Sequence, residues 1–410
     1  MSGVSKRNIL ITSSNFPKGS ASANYLDLFC RGVFLSGRQI EVYLLKGFFL
    51  GGRKTNDTKR NITSYGAKYT YLNIVNRPSN KLLKLSGDIY AFVGLTLLLF
   101  SLLGQRRKVT IFAYNNELYH SILLNCFCKM AGIKVVTFVP EYYDISEFSG
   151  SITKKLRWYG FLVNFHYLNR LSSRLIVFSN FIKEKYIEKN YPENRILVQP
   201  NLTDFDFWML PETETAYTVG YSGTLYKKDG IEDLLMAVSI LRNRNLRIKT
   251  LILGDVVNEE SVLPSLKSYC ENLGIEKDVT FTGLVPLADV KVWLHKCMIL
   301  AITRPNIVQT VAGFPTKIGE YFACGKTVLS TKIGDVGSYF KDRRDVVFAE
   351  AGNPVSIADN LQWILNNFEE SRGIANNGLL RADELLNYKK TVPSMMQFVE
   401  SPDSSTKLSN

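Results

Sequence analysis

Histidine is scarce in this chain. There are three in 410 residues, His120, His166 and His295, and none stands at metal-ligand spacing from another. Cysteine is hardly more common, six in all, and the closest pair, Cys126 and Cys128, has one residue between. Neither a zinc site nor a redox C-x-x-C can be drawn from these positions. The six thiols read as buried and reduced, the histidines as packing or surface residues, and no metal or cofactor is predicted. No Ser/His/Asp or Cys/His arrangement emerges either. Walker loops and G-x-G-x-x-G motifs are absent, as are internal repeats of 20–50 residues. Long apolar runs are lacking too. The segment 89–103, IYAFVGLTLLLFSLL, is fifteen residues without a charge, short of the roughly 20 that cross a bilayer. It is framed by Lys81 and Lys84 before and by Arg106, Arg107 and Lys108 after. The reading is a buried or half-buried core helix, with a helix lying in a membrane interface as the alternative. The opening MSGVSKRNILIT carries no apolar stretch ending in a cleavage site and runs straight into a strand, so the expected location is the cytoplasm.

What is present is a globular composition, 46% hydrophobic and 21% charged. Lys and Arg outnumber Asp and Glu by 50 to 37, a formal charge of +13. Such an excess favours an anionic partner: a nucleotide, a nucleic acid or an anionic lipid surface. The cations are spread along the chain and not gathered on one recognition element, which argues against nucleic acid. The stretch 154–161, KKLRWYGF, mixes cations with aromatics. It suits either an interfacial helix on anionic lipid or a solvated face with its rings turned to the core.

Strand-like apolar runs at 8–12, 39–45, 109–113, 134–139, 174–178, 218–222, 249–254, 279–282, 298–302, 327–331 and 346–349 alternate with helix-length segments such as 22–36, 117–131, 231–242 and 287–296. The alternation predicts parallel sheets covered by helices on both faces. Eleven strands exceed one compact domain, so the predicted fold class is α/β with two doubly wound Rossmann-like domains facing across a cleft. The first covers 1–199 and is completed by a C-terminal helix at 386–400. The second covers 200–385, and a polar, mobile tail follows from 401 to 410. In such a fold the ligand is expected between the lobes, at the carboxyl ends of the strands.

Three loops at those ends carry chemistry. The run from Arg304 to Val328 passes through a Gly313-Phe314-Pro315-Thr316 turn into a short helix bearing Lys317 and Glu320. Free N–H groups at the helix start and the adjacent cation suit a phosphate, while Glu320, about one turn on, suits a sugar hydroxyl. A plain strand–turn–helix with Pro near the first helical position has the same pattern. The loop Ser222-Gly223-Thr224-Leu225-Tyr226-Lys227-Lys228-Asp229-Gly230 is either a turn or a diphosphate contact through Lys228 and the glycine backbone. The segment Asn15 to Ala21, with Gly19, occupies the corresponding place in the first half. Glu141, just after the strand at 134–139, is either a solvated loop carboxylate or a catalytic one.

With these residues in view, the chain resembles the retaining GT-B glycosyltransferases of family 4, above all bacterial members that build surface polysaccharides. VGYSGTLYKKDGIEDLLMA (219–237), LILGD (251–255), VTFTGLVP (279–286) and GFPTKIGEYFACGKTVLST (313–331) carry the resemblance, along with Val198-Gln199-Pro200-Asn201. It implies a nucleotide-diphosphate sugar held mainly by the second lobe. Glu320 matches the second Glu of the family's E-x7-E motif, which bonds the ribose. Gly313, Phe314, Pro315 and Thr316 match the donor-sugar and phosphate turn, and Gly223, Thr224 and Lys228 match the diphosphate loop. Gly19 matches the flexible glycine of the first lobe. Three positions depart from the pattern: Ala312 stands where the first Glu belongs, Thr224 replaces the usual Arg, and Asp229 replaces the usual Lys. Glu141 stands where many members have a His.

The implied activity is transfer of a sugar to a lipid-linked saccharide acceptor, without metal, by a protein peripheral on the inner face of the cytoplasmic membrane. Glu141, Lys228 and Lys317 are the expected catalytic residues. A nucleotide-binding scaffold without turnover and a nucleotide-sugar epimerase are the alternatives.

Overall fold

The computed structural model describes residues 6–50, 53–145, 152–211, 213–256 and 260–402. Of the polar tail, residues 403–410 lie outside this range. The chain divides into two compact units, Met1–Pro200 with Tyr388–Asn410, and Asn201–Asn387.

The first unit holds strands β1 (Arg7–Thr12), β2 (Ile40–Leu44), β3 (Arg60–Ile62), β4 (Lys68–Tyr71), β5 (Val109–Tyr114), β6 (Lys134–Val139), β7 (Arg174–Val177) and β8 (Ile196–Val198). They form one sheet in the order β3-β4-β2-β1-β5-β6-β7-β8, parallel except for the edge strand β3. The parallel strands are apolar on both faces because helices cover both. Three strands lie outside the eleven runs: β8, because ILV is only three residues long, and β3 and β4, because RNI and KYTY are short and partly polar, as an exposed sheet edge allows. The first helix, Ala21–Leu35, starts at Ser20, whose hydroxyl accepts from the Ala23 N–H at 3.2 Å. The helix Tyr388–Glu400 packs back on this unit, where Arg38 makes a two-pronged ion pair with Glu400 at 2.8 and 2.6 Å.

The helix over the fifteen-residue apolar run is longer than expected, Lys81–Ser101. Asn80 caps it, accepting from the Leu82 N–H at 2.8 Å. It meets the core on one side only: its buried residues are Gly87, Ala91, Leu95 and Leu99, one stripe at four-residue spacing. Leu95 and Leu99 join Ile9, Ile11 and Ile111 in the core under the sheet.

The second unit holds β9 (Tyr217–Ser222), β10 (Thr250–Leu253), β11 (Val279–Gly283), β12 (Cys297–Ile302), β13 (Thr327–Thr331) and β14 (Val347–Ala349), all parallel, in the order β11-β10-β9-β12-β13-β14. One core layer sets Ile231, Leu234, Val238 and Leu241 of the helix Ile231–Asn243 against Ile357, Leu361 and Ile364. The other sets Ile318, Tyr321 and Phe322 against Phe340 and Leu386. The chain winds from β9 outward to β10 and β11, then crosses to β12 on the other side. The topological switch point therefore falls between β9 and β12, where open α/β sheets bind ligands outside the carboxyl ends.

Candidate functional site

Four segments of the second unit meet at that switch point. β9 ends at Ser222 and leads into Gly223, while β12 ends at Ile302 and leads into Thr303 and Arg304. The 3-10 turn Lys227–Asp229 and the helix Lys317–Ala323 supply the rest. Thr303 links two of these segments, its hydroxyl donating to the Gly230 carbonyl at 2.7 Å. Gly230 is in the left-handed region at φ +67°, and a Cβ there would lie 1.9 Å from the Thr303 carbonyl oxygen. Only glycine lets this turn close onto β12.

The charged centre is Asp229, 2% exposed. Lys317 Nζ donates to its Oδ1 at 2.9 Å, and the Arg304 guanidinium lies 3.7 Å from the same oxygen. Lys317 also bonds the Tyr221 hydroxyl and sits over that ring, 4.3 Å from its centroid. Two cations thus share one carboxylate, leaving a net positive, nearly dry cluster. Asp229 Oδ2 and Arg304 Nε are buried without a hydrogen-bond partner. Burial lowers the Lys317 pKa against the pull of Asp229, and Arg304 adds to the lowering. An anion at this place would relieve the excess of positive charge, because a desolvated cation costs most when unpaired.

Glu320 stands one turn further along the same helix. It is partly exposed, and burial pushes its carboxyl up to about 7, with Lys317 pulling the other way. Tyr321 anchors this turn: its hydroxyl accepts from the Ser222 N–H at 2.7 Å. At the other end of the helix the Thr316 carbonyl accepts from Asn201 Nδ2 at 2.9 Å. The helix has only seven residues, so its dipole adds little to the two buried cations.

A raised carboxyl pKa has a definite sign. If Glu320 must be ionised to accept from a sugar hydroxyl, a proton competes with the ligand. Affinity for a nucleotide-diphosphate sugar is expected to rise roughly tenfold for each pH unit below about 7, then to level off. Titration calorimetry between pH 5.5 and 8 reads this directly, and a flat profile would separate Glu320 from the ligand. The free protein shows the opposite slope. Its folded state holds the proton more tightly than the unfolded chain, so this group's contribution to stability falls as pH rises from about 4.5 to about 7.

The sequence-derived residues fall into three groups. Gly223, Thr224, Lys317 and Glu320 lie at the switch point. Gly223 lies against Lys317: at φ +149°, a Cβ there would sit 2.0 Å from Lys317 Cε, near the end of that flexible side chain. The Thr224 carbonyl accepts from the Tyr221 hydroxyl at 3.0 Å. Lys228 sits partly buried beside Asp229 on the same turn. Gly313, Phe314, Pro315 and Thr316 lead into the helix. The Gly313 N–H is spent on the Gln309 carbonyl at 3.1 Å, and the Phe314 ring is buried edge-on against Tyr339 at 5.7 Å. These two residues shape the turn by packing. Gly19 and Glu141 belong to the first unit. Gly19, at φ +135°, lies so close to Asn15 that a Cβ would sit 2.9 Å from Nδ2. Glu141 is exposed after β6, hydrogen-bonded to the Tyr143 hydroxyl. It lines a small cavity of about 130 Å³ with Asn115, Asn116, Asn125, Asn164 and Asn169.

Arg304, Asp229 and Tyr221 carry the cluster, yet none stands among the sequence-derived site residues. One signal was in the sequence: an acid at 229 where the family pattern has a lysine needs a cation elsewhere. Among the described residues no group of three or more His, Cys, Asp or Glu could hold a metal. His120 and His295 are buried, His295 with Nε2 at 2.9 Å from the Trp208 carbonyl oxygen.

Residues 203–381, within the second unit, match the family model described as glycosyl transferases group 1. MJ1178 of Methanocaldococcus jannaschii, an uncharacterised glycosyltransferase, is 22% identical over 218 residues, which is 52% of this chain and 56% of that protein. The chain thus spans about half the length of the curated relative it matches. Alr3699/HepE of Anabaena, solved in complex with UDP, is similar at a TM-score of 0.69 and 15% identity, over 95% of this chain and 98% of that one. WaaG, a glycosyltransferase involved in lipopolysaccharide biosynthesis, is similar at a TM-score of 0.63 and 12% identity, over 96% and 100%. The fold is that of the GT-B glycosyltransferases: two Rossmann-like domains built on parallel sheets.

Proposed function

We propose that this chain is a glycosyltransferase that moves a sugar from a nucleotide-diphosphate sugar to a lipid-linked saccharide acceptor, in the assembly of a surface polysaccharide. The observation that carries the reading is the Arg304–Asp229–Lys317 cluster at the switch point, with Glu320 one helical turn away. A diphosphate beside the cluster would put Glu320 within reach of a ribose. The group 1 domain at 203–381 supports the activity, and the UDP held by HepE supports a nucleotide-sugar donor. The likeness to WaaG supports a polysaccharide context.

In this reading Arg304 and Lys317 stabilise the negative charge that develops on the leaving diphosphate, in a site already dry and positively charged. Lys228 on the neighbouring turn adds a third cation. Asp229 holds Lys317 in place. No metal is required to screen the diphosphate. Glu141, in the first unit, acts on the acceptor side, and retention of anomeric configuration follows the family resemblance. The protein works in the cytoplasm, against the membrane that carries its acceptor.

One observation favours a second reading, a nucleotide-binding scaffold without turnover. Ala312, where the E-x7-E motif has its first Glu, is fully buried and offers the donor sugar no carboxylate. Incubating the full chain with a panel of nucleotide-diphosphate sugars and lipid-linked saccharides, and measuring free nucleotide, separates the two. Nucleotide release that depends on the acceptor is the expected result. Tight donor binding with no release across the panel would replace the first reading by the second.

A further inference from the structure

From Ile89 on, the helix Lys81–Ser101 carries no charged side chain, yet the protein covers only one stripe of it. Leu82, Leu85, Ile89, Val93, Leu97 and Phe100 stay exposed, Leu97 at 66% and Phe100 at 58%. Soluble proteins rarely leave so long an apolar face open unless something else covers it. The neighbouring helix Leu118–Ala131 continues the face. Phe127 packs on Phe100 at 5.1 Å, and Ile122 and Met130 are exposed, Met130 at 81%. The helix Ile152–Val163 extends it, because Gly160 packs against Leu118 while Ile152, Leu156 and Tyr159 stand exposed.

Charge identifies what covers the face. From Lys81 to Pro140 the sequence has two acidic side chains: Asp88, which accepts from Asn73 Nδ2 at 3.3 Å, and Glu117, which is paired with Lys46. Cations frame the long helix: Lys81 is one turn from Leu85, and Arg106, Arg107 and Lys108 are exposed on the 3-10 turn just after it. Lys59 lies over the Tyr90 ring at 4.2 Å. Lys154, Lys155 and Arg157 are exposed on the third helix. A second copy of this chain fits poorly, since both ends of the long helix are basic and either antiparallel or parallel pairing sets like charges together. Crossing a bilayer is also excluded for this arrangement. The helix measures roughly 31 Å at 1.5 Å per residue, long enough to span, but its buried stripe fastens it to the first unit, Gly87 against Asn73 and Leu95 and Leu99 in the core under the sheet.

We infer that these three helices form a docking face that lies in the plane of an anionic lipid bilayer, apolar side chains among the acyl chains and the basic residues at phosphate level. The inference deepens the membrane association proposed above and names the surface that makes it. The test is co-sedimentation of the full chain with vesicles of phosphatidylcholine alone and of phosphatidylcholine mixed with phosphatidylglycerol. Binding to the mixed vesicles that weakens with added salt is expected. Replacing Arg106, Arg107 and Lys108 together by Ser should weaken it on the order of 100-fold. Leu85→Ser, Ile89→Ser and Leu97→Ser together should abolish binding, with an unchanged Tm and unchanged nucleotide affinity.

A wild-type chain that stays in the supernatant with mixed vesicles overturns the inference, as does a leucine-substituted variant that sediments like wild type. Dimerisation without vesicles, abolished by the same three substitutions, would give the face to a second copy. Nucleotide affinity is measured on the same samples. Retained donor binding without vesicle binding removes the docking face alone, whereas vesicle binding without donor binding removes the proposed site alone.

Discussion

Asp229→Ala is expected to destabilise the protein by roughly 3–5 kcal/mol, the cost of leaving a buried charge without its partner. For a domain of this size that is a fall in Tm on the order of 10 °C. The reason is local. Lys317 and Arg304 both address the Asp229 Oδ1, at 2.9 and 3.7 Å, and both side chains are nearly buried. Without the carboxylate, two cations remain close together with no water to screen them. Lys317→Met is expected to cost less, because Arg304 and Asp229 then pair one to one. A nucleotide should also rescue the alanine variant, its phosphates standing in for the lost carboxylate. The rise in Tm on adding UDP is therefore expected to be larger in Asp229→Ala than in wild type. An alanine variant as stable as wild type would dismiss the ion cluster. A smaller nucleotide-dependent rise would move the phosphates elsewhere.

Glu320→Ala tests the other end of the site. Loss of a charge-assisted hydrogen bond, about 1.5 to 3 kcal/mol, should weaken donor affinity about 10- to 150-fold. Stability should move the other way. Burial holds the Glu320 carboxyl at about 7, so above that pH the empty protein keeps a charge it would hold more cheaply in water. The variant is expected to be as stable as wild type or slightly more so at pH 8, the pattern of a residue kept for function at the expense of stability. Unchanged donor affinity in a folded Glu320→Ala protein would sink the assignment of this carboxylate to the ribose.

Much of this was legible in the sequence. Each of the eleven predicted strands is present, because strands buried on both faces must be apolar, and such runs stand out between helices. That a turn follows β9 and that a short helix starts at Lys317 was legible too, since strand–turn–helix junctions have their own residue chemistry. What periodicity could not supply was long-range pairing. Arg304 and Asp229 are 75 positions apart, and nothing local to either shows that the turn before Gly230 closes onto the end of β12. Nor does anything local to Gly223 show that Lys317, 94 residues away, lies against it.

The run IYAFVGLTLLLFSLL shows the same division. Its composition determined that a helix would form and that it would be greasy. Only the packing of Gly87, Ala91, Leu95 and Leu99 within the first unit decided that a single stripe is covered and the rest left open. Hydrophobicity is a property of each side chain, readable in order along the chain. Burial and ion pairing depend on which distant segment arrives next to it, and that is settled by the tertiary fold.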